Sequence, residues 1–265
     1  MRALALLCAI ASSAIADKPP AVRFSTETWQ GVTLDVVAVD LRRARLGLVW
    51  QRAPGQAFGS LRAARDELTR RGEPPLALTN AGIYGRDDRP LGLHIEGGHE
   101  LHPLELRRAR GNFYLEPNGV FLLEKTRAGA SARVLESHEF AAWRSKSKHA
   151  IELATQSGPL LVRAGALHPR FTPGSPNTKL RSGVGVRSPT EIVLVVARGA
   201  INFHDFATFF SEKLACPDAL YLDGTISRLH APALGRSADD LLGDGHFVGI
   251  LAVLPKKGMN VHSAR

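Results

Sequence analysis

The chain has 265 residues, 44% of them hydrophobic and 22% charged, with a formal net charge of +9. That is ordinary globular composition and length enough for one large core, so a small disulfide scaffold is excluded. The basic residues are scattered in short groups and aromatics make up only 6%, which leaves neither a phosphate track nor a base-stacking platform and argues against nucleic acid as a partner.

In chain order, the first segment is MRALALLCAIASSAIA. It has a positive charge at Arg2, an apolar run from Ala3 to about Ala14 and the small-x-small site Ala14-Ile15-Ala16, the pattern of a secretory signal cut after Ala16. The protein is therefore expected to be periplasmic or secreted. No later stretch reaches the roughly 20 apolar residues of a transmembrane helix. Cys8 falls inside the signal and Cys216 is left alone, so no internal disulfide can form, and Cys216 reads as a buried structural thiol. The expected organisation is a signal (1–16), an N-terminal extension (17–31), one domain (32–256) and a C-terminal tail (257–265).

VTLDVVAVD (Val32 to Asp40) and LGLVWQ (Leu46 to Gln51) read as strands, and the polar link between them suits a hairpin. SLRAARDELTRRG reads as a helix with Ser60 as cap, Gly72 as stop and Leu61, Ala64 and Leu68 on one face. The strand LALT then delivers Asn80 into a glycine-rich stretch that holds Gly82, Tyr84 and Gly85; taken alone, this is an asparagine-bearing turn. Three further strands, in GNFYLEPNGVFLL, ATQSGPLLVRAGALHPRF and RSGVGVRSPTEIVLVVA, each place a glycine and polar side chains at an end. Binding groups gather at strand ends because a rigid sheet lets loops converge there.

Asn202 can cap a helix whose Phe203, Phe206, Ala207, Phe210 and Leu214 recur at helical spacing and pack on the sheet. His204 and Asp205 in its first turn read as capping and solvent groups rather than metal ligands. The strand ALYL then ends on Asp223, followed by Gly224, Thr225 and Ser227. Two readings of Asp223 stand side by side: a carboxylate aimed into a pocket, or a cap for the turn through Thr225 or Ser227.

NAGIY, PLGLHIEGG, QSGPLLV, RSGVGV, NFHDFATFF and ALYLDGTIS together, in this order, resemble the motifs of the phosphodiester glycosidase family over about Thr33 to Leu254. Asn80 to Tyr84 are similar to the family's Asn-Gly-Gly-Phe-type segment, Gln156 to Pro159 to its Gln-x-Gly-Pro strand, and Arg181 to Gly185 to its Arg-x-x-x-Gly segment. Leu222 to Ser227 are similar to its Leu-Asp-Gly-Gly-x-Ser signature, with Thr225 in place of the second glycine.

The resemblance implies an exported hydrolase that cleaves a sugar-1-phosphodiester or a related glycosidic bond in envelope glycans, on one α+β domain with a mixed, twisted sheet flanked by a few helices. Asp223, Arg181 and Asn80 are the catalytic candidates. Asp223 would serve an oxocarbenium-like transition state at the anomeric carbon, and Arg181 would neutralise the leaving phosphate. Gln156, Gly158, Tyr84, His94, Gly224, Thr225 and Ser227 are the substrate-binding candidates. Asp87, Asp88, Glu96 and His94 stand as candidates for a second acid or base. No cofactor is implied with certainty, and a divalent cation near Asp223 stays open. The alternative function is a non-catalytic carbohydrate- or cell-wall-binding protein using the same pocket.

Overall fold

The computed structural model describes residues 19–239 and 246–256; the expected signal and the expected tail lie outside the described residues. The first strands are β1 (Val22–Trp29), β2 (Val32–Asp40), β3 (Ala44–Val49), β4 (Gln51–Ala53), β5 (Gln56–Ala57), β6 (Ala77–Asn80), β7 (His94–Glu96) and β8 (His99–His102). After them come β9 (Gly119–Thr126), β10 (Gly129–Glu136), β11 (Ala150–Ser157), β12 (Leu160–Arg163), β13 (Ala166–Leu167), β14 (Ser182–Ser188), β15 (Glu191–Ala197), β16 (Asp218–Asp223), β17 (Leu229–His230) and β18 (Ile250–Pro255). The helices are α1 (Leu61–Arg70), α2 (Ser137–Arg144) and α3 (Phe203–Thr208), the last continuing as a π-helical turn, Phe209–Lys213.

The α+β class expected from the sequence holds. The single mixed sheet expected is not found: among the described residues the strand pairings are antiparallel and divided among a seven-stranded sheet (β1-β2-β15-β14-β16-β12-β13), a five-stranded sheet (β10-β9-β11-β7-β8), a four-stranded sheet (β17-β6-β18-β3) and the β4-β5 ribbon. Period-2 alternation explains how the first sheet is covered on both faces. Strand β2 sends Val37 and Val39 into a central core and Leu34, Val36 and Ala38 into a second cluster with Phe206, Phe209 and Phe210. Strand β16 does the same, with Leu220 and Leu222 in the central core and Ala219 and Tyr221 on the α3 side. The central core is shared with β9, β11, β3 and β18 of the other two sheets. Helix α1 covers the outer face of the four-stranded sheet through Leu61, Ala64 and Leu68, and α2 covers the five-stranded sheet through Phe140.

Local signals place the helices where expected. The Ser60 side chain accepts the Ala63 N–H and Gly72 takes φ +77°, so α1 is capped and stopped as its sequence predicts. The Asn202 side chain accepts the Asp205 N–H, and His204 pairs with Asp205, which is the capping reading of that pair.

Two further expectations are corrected. Strands β2 and β3 do not form a hairpin: β2 pairs with β1 and β15, whereas β3 pairs with β18 in another sheet. The link is a turn with Arg42 exposed and Leu41 and Ala44 buried at its ends, and it carries the chain from one sheet to the next. Residues 22–29, set apart as an extension, pair along their whole length with β2, because β2 is buried on both faces and its free edge needs a partner.

The glycines of RSGVGV have a packing cause. A Cβ on Gly185 would lie 2.6 Å from Cys216 Sγ and 2.8 Å from the Phe210 ring, and one on Gly183 would lie 3.0 Å from that ring. The bare backbone of β14 is the seat on which Phe210 rests. Gly185→Ala should therefore lower stability by about 1–3 kcal/mol through overpacking, read as a reduced urea midpoint with unchanged slope; an unchanged midpoint would contradict this packing account.

Candidate active site

The end of β16 opens into a cleft of about 400 Å³. Its walls are Ile83 and Leu91 from the loop after β6, residues 110–114, Asn177 and Lys179 ahead of β14, and Tyr221, Asp223, Gly224, Thr225 and Ile226. Because side chains alternate along a strand, Tyr221 and Asp223 share one face of β16, the face turned away from the central core. Asp223 is the only carboxylate among the described residues lining the cleft.

Asp223 is partly buried and its Oδ1 accepts the Gly224 N–H at 2.6 Å. Burial pushes its carboxyl up to about 6, against the opposing pull of that N–H. Neither Thr225 nor Ser227 bonds the carboxylate. The Ser227 Oγ lies instead 3.0 Å from both the Asp223 main-chain oxygen and Ser182 Oγ, and its single proton can serve either. The turn is thus tied through the backbone, and the acid is left facing the cleft.

Two tyrosines feel that acid. Tyr84 and Tyr221 have their phenols pushed up, first by burial and then by the Asp223 charge. The positive side of the cleft comes from Arg110 and Lys179, both exposed and neither paired with a carboxylate among the described residues.

Arg181 is placed differently from the expectation. It is fully buried, donating from Nε to the Ile201 carbonyl at 2.7 Å and from Nη2 to the Asn177 carbonyl at 2.9 Å. Its guanidinium carbon stacks 3.5 Å from the Phe203 ring centroid and lies 5.5 Å from that of Tyr221. Arg181 does not line the cleft, and it stands behind Tyr221 and beneath Asn177.

Most of the other candidates form the scaffold. Asn80 is buried, with Nδ2 donating to Ser182 Oγ at 2.8 Å and Oδ1 accepting the Arg228 N–H at 3.2 Å, so it ties β6 to β14 and to the loop after Asp223. Gln156 accepts the Leu93 and Glu105 N–H groups and donates to the Glu105 carbonyl and Ser137 Oγ, which satisfies its whole amide. Gly158 lies against Asn118 and the Phe113 carbonyl. His94 is 1% exposed and packs edge-on against Trp50. Glu96 accepts the Trp50 N–H and Asp88 pairs with His246, so neither these nor Asp87 reaches the cleft wall. Among the described residues no three His, Cys, Asp or Glu side chains gather into a metal-ligand set. Burial pushes the Cys216 thiol up to about 12, which fits an inert core thiol.

The structure therefore brings Asp223, Gly224 and Thr225 together in the cleft with Tyr84 nearby, and puts Arg181, Asn80, Gln156, Gly158, His94 and Ser227 behind it. Sequence reasoning missed Arg110, Asn112, Lys179 and Tyr221. Only Tyr221 carried a readable signal, its i, i+2 spacing from Asp223.

The sequence model of the phosphodiester glycosidase family matches residues 75–230. The uncharacterized protein YigE of Escherichia coli (strain K12) is 35% identical over 199 residues, 75% of this chain and 74% of that protein. The catalytic domain of zebrafish N-acetylglucosamine-1-phosphodiester alpha-N-acetylglucosaminidase, auto-inhibited by its pro-peptide, has a similar fold. The TM-score is 0.60 at 15% identity, over 91% of this chain and 85% of that one. A hypothetical protein from Synechocystis aligns with a TM-score of 0.51 at 16% identity, over 91% of this chain and 65% of that one.

The position of Asp223 has a consequence for stability. The unfolded chain releases this proton near 3.8 and the folded chain near 6, so folded stability falls as pH rises between those values and stays lowered above them. A carboxyl raised that far corresponds to at most about 3 kcal/mol. Asp223→Asn should accordingly raise the melting temperature at about pH 7.5 and leave it unchanged below about pH 4. A variant that melts lower at neutral pH would show the carboxylate to be structural.

Proposed function

The chain belongs to the phosphodiester glycosidase family, and on that premise we propose that it is an exported hydrolase cleaving a sugar-1-phosphodiester, or a related glycosidic bond, in envelope glycans. The observation that carries the reading is Asp223, the lone carboxylate of a cleft whose only formal positive charges among the described lining residues are Arg110 and Lys179. Export rests on the pattern of residues 1–16. No helix among the described residues is long and apolar enough to cross a membrane.

The chemistry follows from the charges. With the phosphodiester held by Arg110 and Lys179, the anomeric carbon stands over Asp223. The bond from that carbon to the phosphate oxygen breaks and the electron pair leaves with a phosphate monoester. That group is acidic enough to depart without a proton, so one carboxylate suffices where an ordinary glycoside needs two. Asp223 serves the developing positive charge at the carbon, directly or by taking the proton of the attacking water, whose oxygen completes the sugar product. The cations offset the charge gathered on the leaving group. The anion-binding role expected of Arg181 passes in this reading to Arg110 and Lys179, because Arg181 is fully buried outside the cleft lining, with Nε and Nη2 engaged by carbonyls within the fold.

Two measurements test it on a panel of chromogenic sugar-1-phosphodiesters and neutral glycosides. Asp223→Asn should cut turnover at least about a hundredfold, equivalent to roughly 2.7 kcal/mol of transition-state stabilisation, while binding survives. In the unsubstituted protein kcat/KM should rise with pH through about 6 as the carboxyl ionises. Retained turnover in Asp223→Asn would leave a carbohydrate-binding protein as the better reading.

Lys179→Ala and Arg110→Ala should each raise KM about tenfold or more for the phosphodiester and change it little for a neutral glycoside. Added salt should narrow the difference, since both side chains are exposed. An equal effect on both substrate classes would remove the anion subsite.

A further inference from the structure

Behind the cleft wall lies a buried group for which the hydrolytic reading has no use. Arg181 is the largest fully buried side chain of the described residues, and its Nη1 has no well-aligned hydrogen-bond partner. An unsatisfied N–H on a buried cation is costly, so what Nη1 faces matters. The Tyr221 ring centroid lies 5.5 Å from the guanidinium carbon; burial and then the Asp223 charge hold its phenol protonated, against the pull of Arg181 and Asn112 toward ionisation.

Donor and acceptor roles then follow without choice. A guanidinium can only donate, so any hydrogen bond between the two runs from Arg181 to the phenol oxygen. Its own proton must point elsewhere. It does not go to Asp223, whose carboxylate accepts only the Gly224 N–H among the described hydrogen bonds. The oxygen sits hard against the start of the cleft loop, since a Cβ on Gly224 would be 2.6 Å from it. Tyr221 and Asn112 both line the cleft. The free direction of the O–H is the space beside Asp223.

We propose that the Tyr221 hydroxyl is a catalytic hydrogen-bond donor to the substrate oxygen beside Asp223, and that Arg181 is its positioning residue, fixing the phenol from behind and leaving its proton to the cleft. The inference rests on the hydrolase reading above. The oxygen it serves is the one that accumulates negative charge as the bond to the anomeric carbon breaks, so the hydrogen bond strengthens in the transition state. No proton is transferred, since the burial that holds the phenol protonated makes it a donor throughout the working pH range.

The test uses the full mature protein and the sugar-1-phosphodiester that it hydrolyses best. Tyr221→Phe keeps the ring and removes the O–H; kcat should fall about a hundredfold or more, with KM changed less than about threefold. Arg181→Lys keeps a charge but loses the flat fork, and should lower kcat in the same manner. The double variant should be no slower than Tyr221→Phe alone, because Arg181 acts through the phenol. A purely structural role would lower the melting temperature without this split between kcat and KM. If Arg181→Lys melts below the assay temperature, Tyr221→Phe alone decides the role of the hydroxyl. No turnover by the unsubstituted protein on any substrate overturns the hydrolase reading and this inference together. Turnover by the unsubstituted protein with Tyr221→Phe equally fast overturns the inference and leaves the reading intact. Additive losses in the double variant overturn the role given to Arg181.

Discussion

The burial of Arg181 is the constraint on which the arrangement of the cleft depends. A guanidinium stays charged at any working pH, so taking it out of water is expensive unless the fold supplies compensation. Here that is the face of Phe203 at 3.5 Å and the carbonyls of Ile201 and Asn177. Each partner belongs to a different part of the chain. Ile201 and Phe203 fix the start of α3, Asn177 fixes the segment that carries Lys179, and Tyr221 fixes the end of β16. One buried cation thus ties the helix, the cleft wall and the strand that bears the acid.

The stack extends outward from that point. Phe171 lies parallel to Phe203 at 5.0 Å and His168 stacks on Phe171 at 4.6 Å, so a column of rings runs from the loop after β13 to the guanidinium. Stacked rings restrict each other's rotation, and a cation on the last ring is attracted by its π face. Lys179 is exposed, but the backbone that carries it is held two residues away by Arg181 and paired with Ile201. A mobile side chain on a fixed backbone suits an anion whose position shifts as a bond breaks.

What was legible in the sequence was what depends on local pattern. Ser60, Gly72 and Asn202 mark helix ends by capping chemistry that acts over three residues, and the phenylalanines of α3 mark their own buried face. The strand ending on Asp223 was legible for the same reason. Side-chain direction at strand ends was not. Asn80 and Gln156 sit where binding groups gather, yet both turn inward to pair with Ser182 Oγ and with the backbone near Glu105, contacts between segments far apart in the chain. The order of the motifs pointed to the family without showing which motif residues face the cleft and which hold it up. Arg110 and Lys179 lie in irregular segments whose position is set by the fold around them. The supposed hairpin failed because a short polar link between two strands is equally compatible with a crossing between sheets, and the choice is made by distant partners, β1 and β15 for β2 and β18 for β3.

The placement of Asp223 sets two demands against each other. A carboxylate out in the loop would be hydrated, ionised near its ordinary value and free to choose rotamers, and would contribute little to the folding cost. At the last residue of β16 it is desolvated enough to titrate near 6 and is fixed by the Gly224 N–H. The folded state bears an electrostatic penalty for holding the ionised form, and that penalty makes the charge available to a cation developing beside it. The surrounding sheet can carry the penalty because Leu220 and Leu222 anchor the same strand in the central core. Alternation along β16 gives one face to stability and the other to Tyr221 and Asp223, so the apolar run before the acid and the acid itself belong to one device.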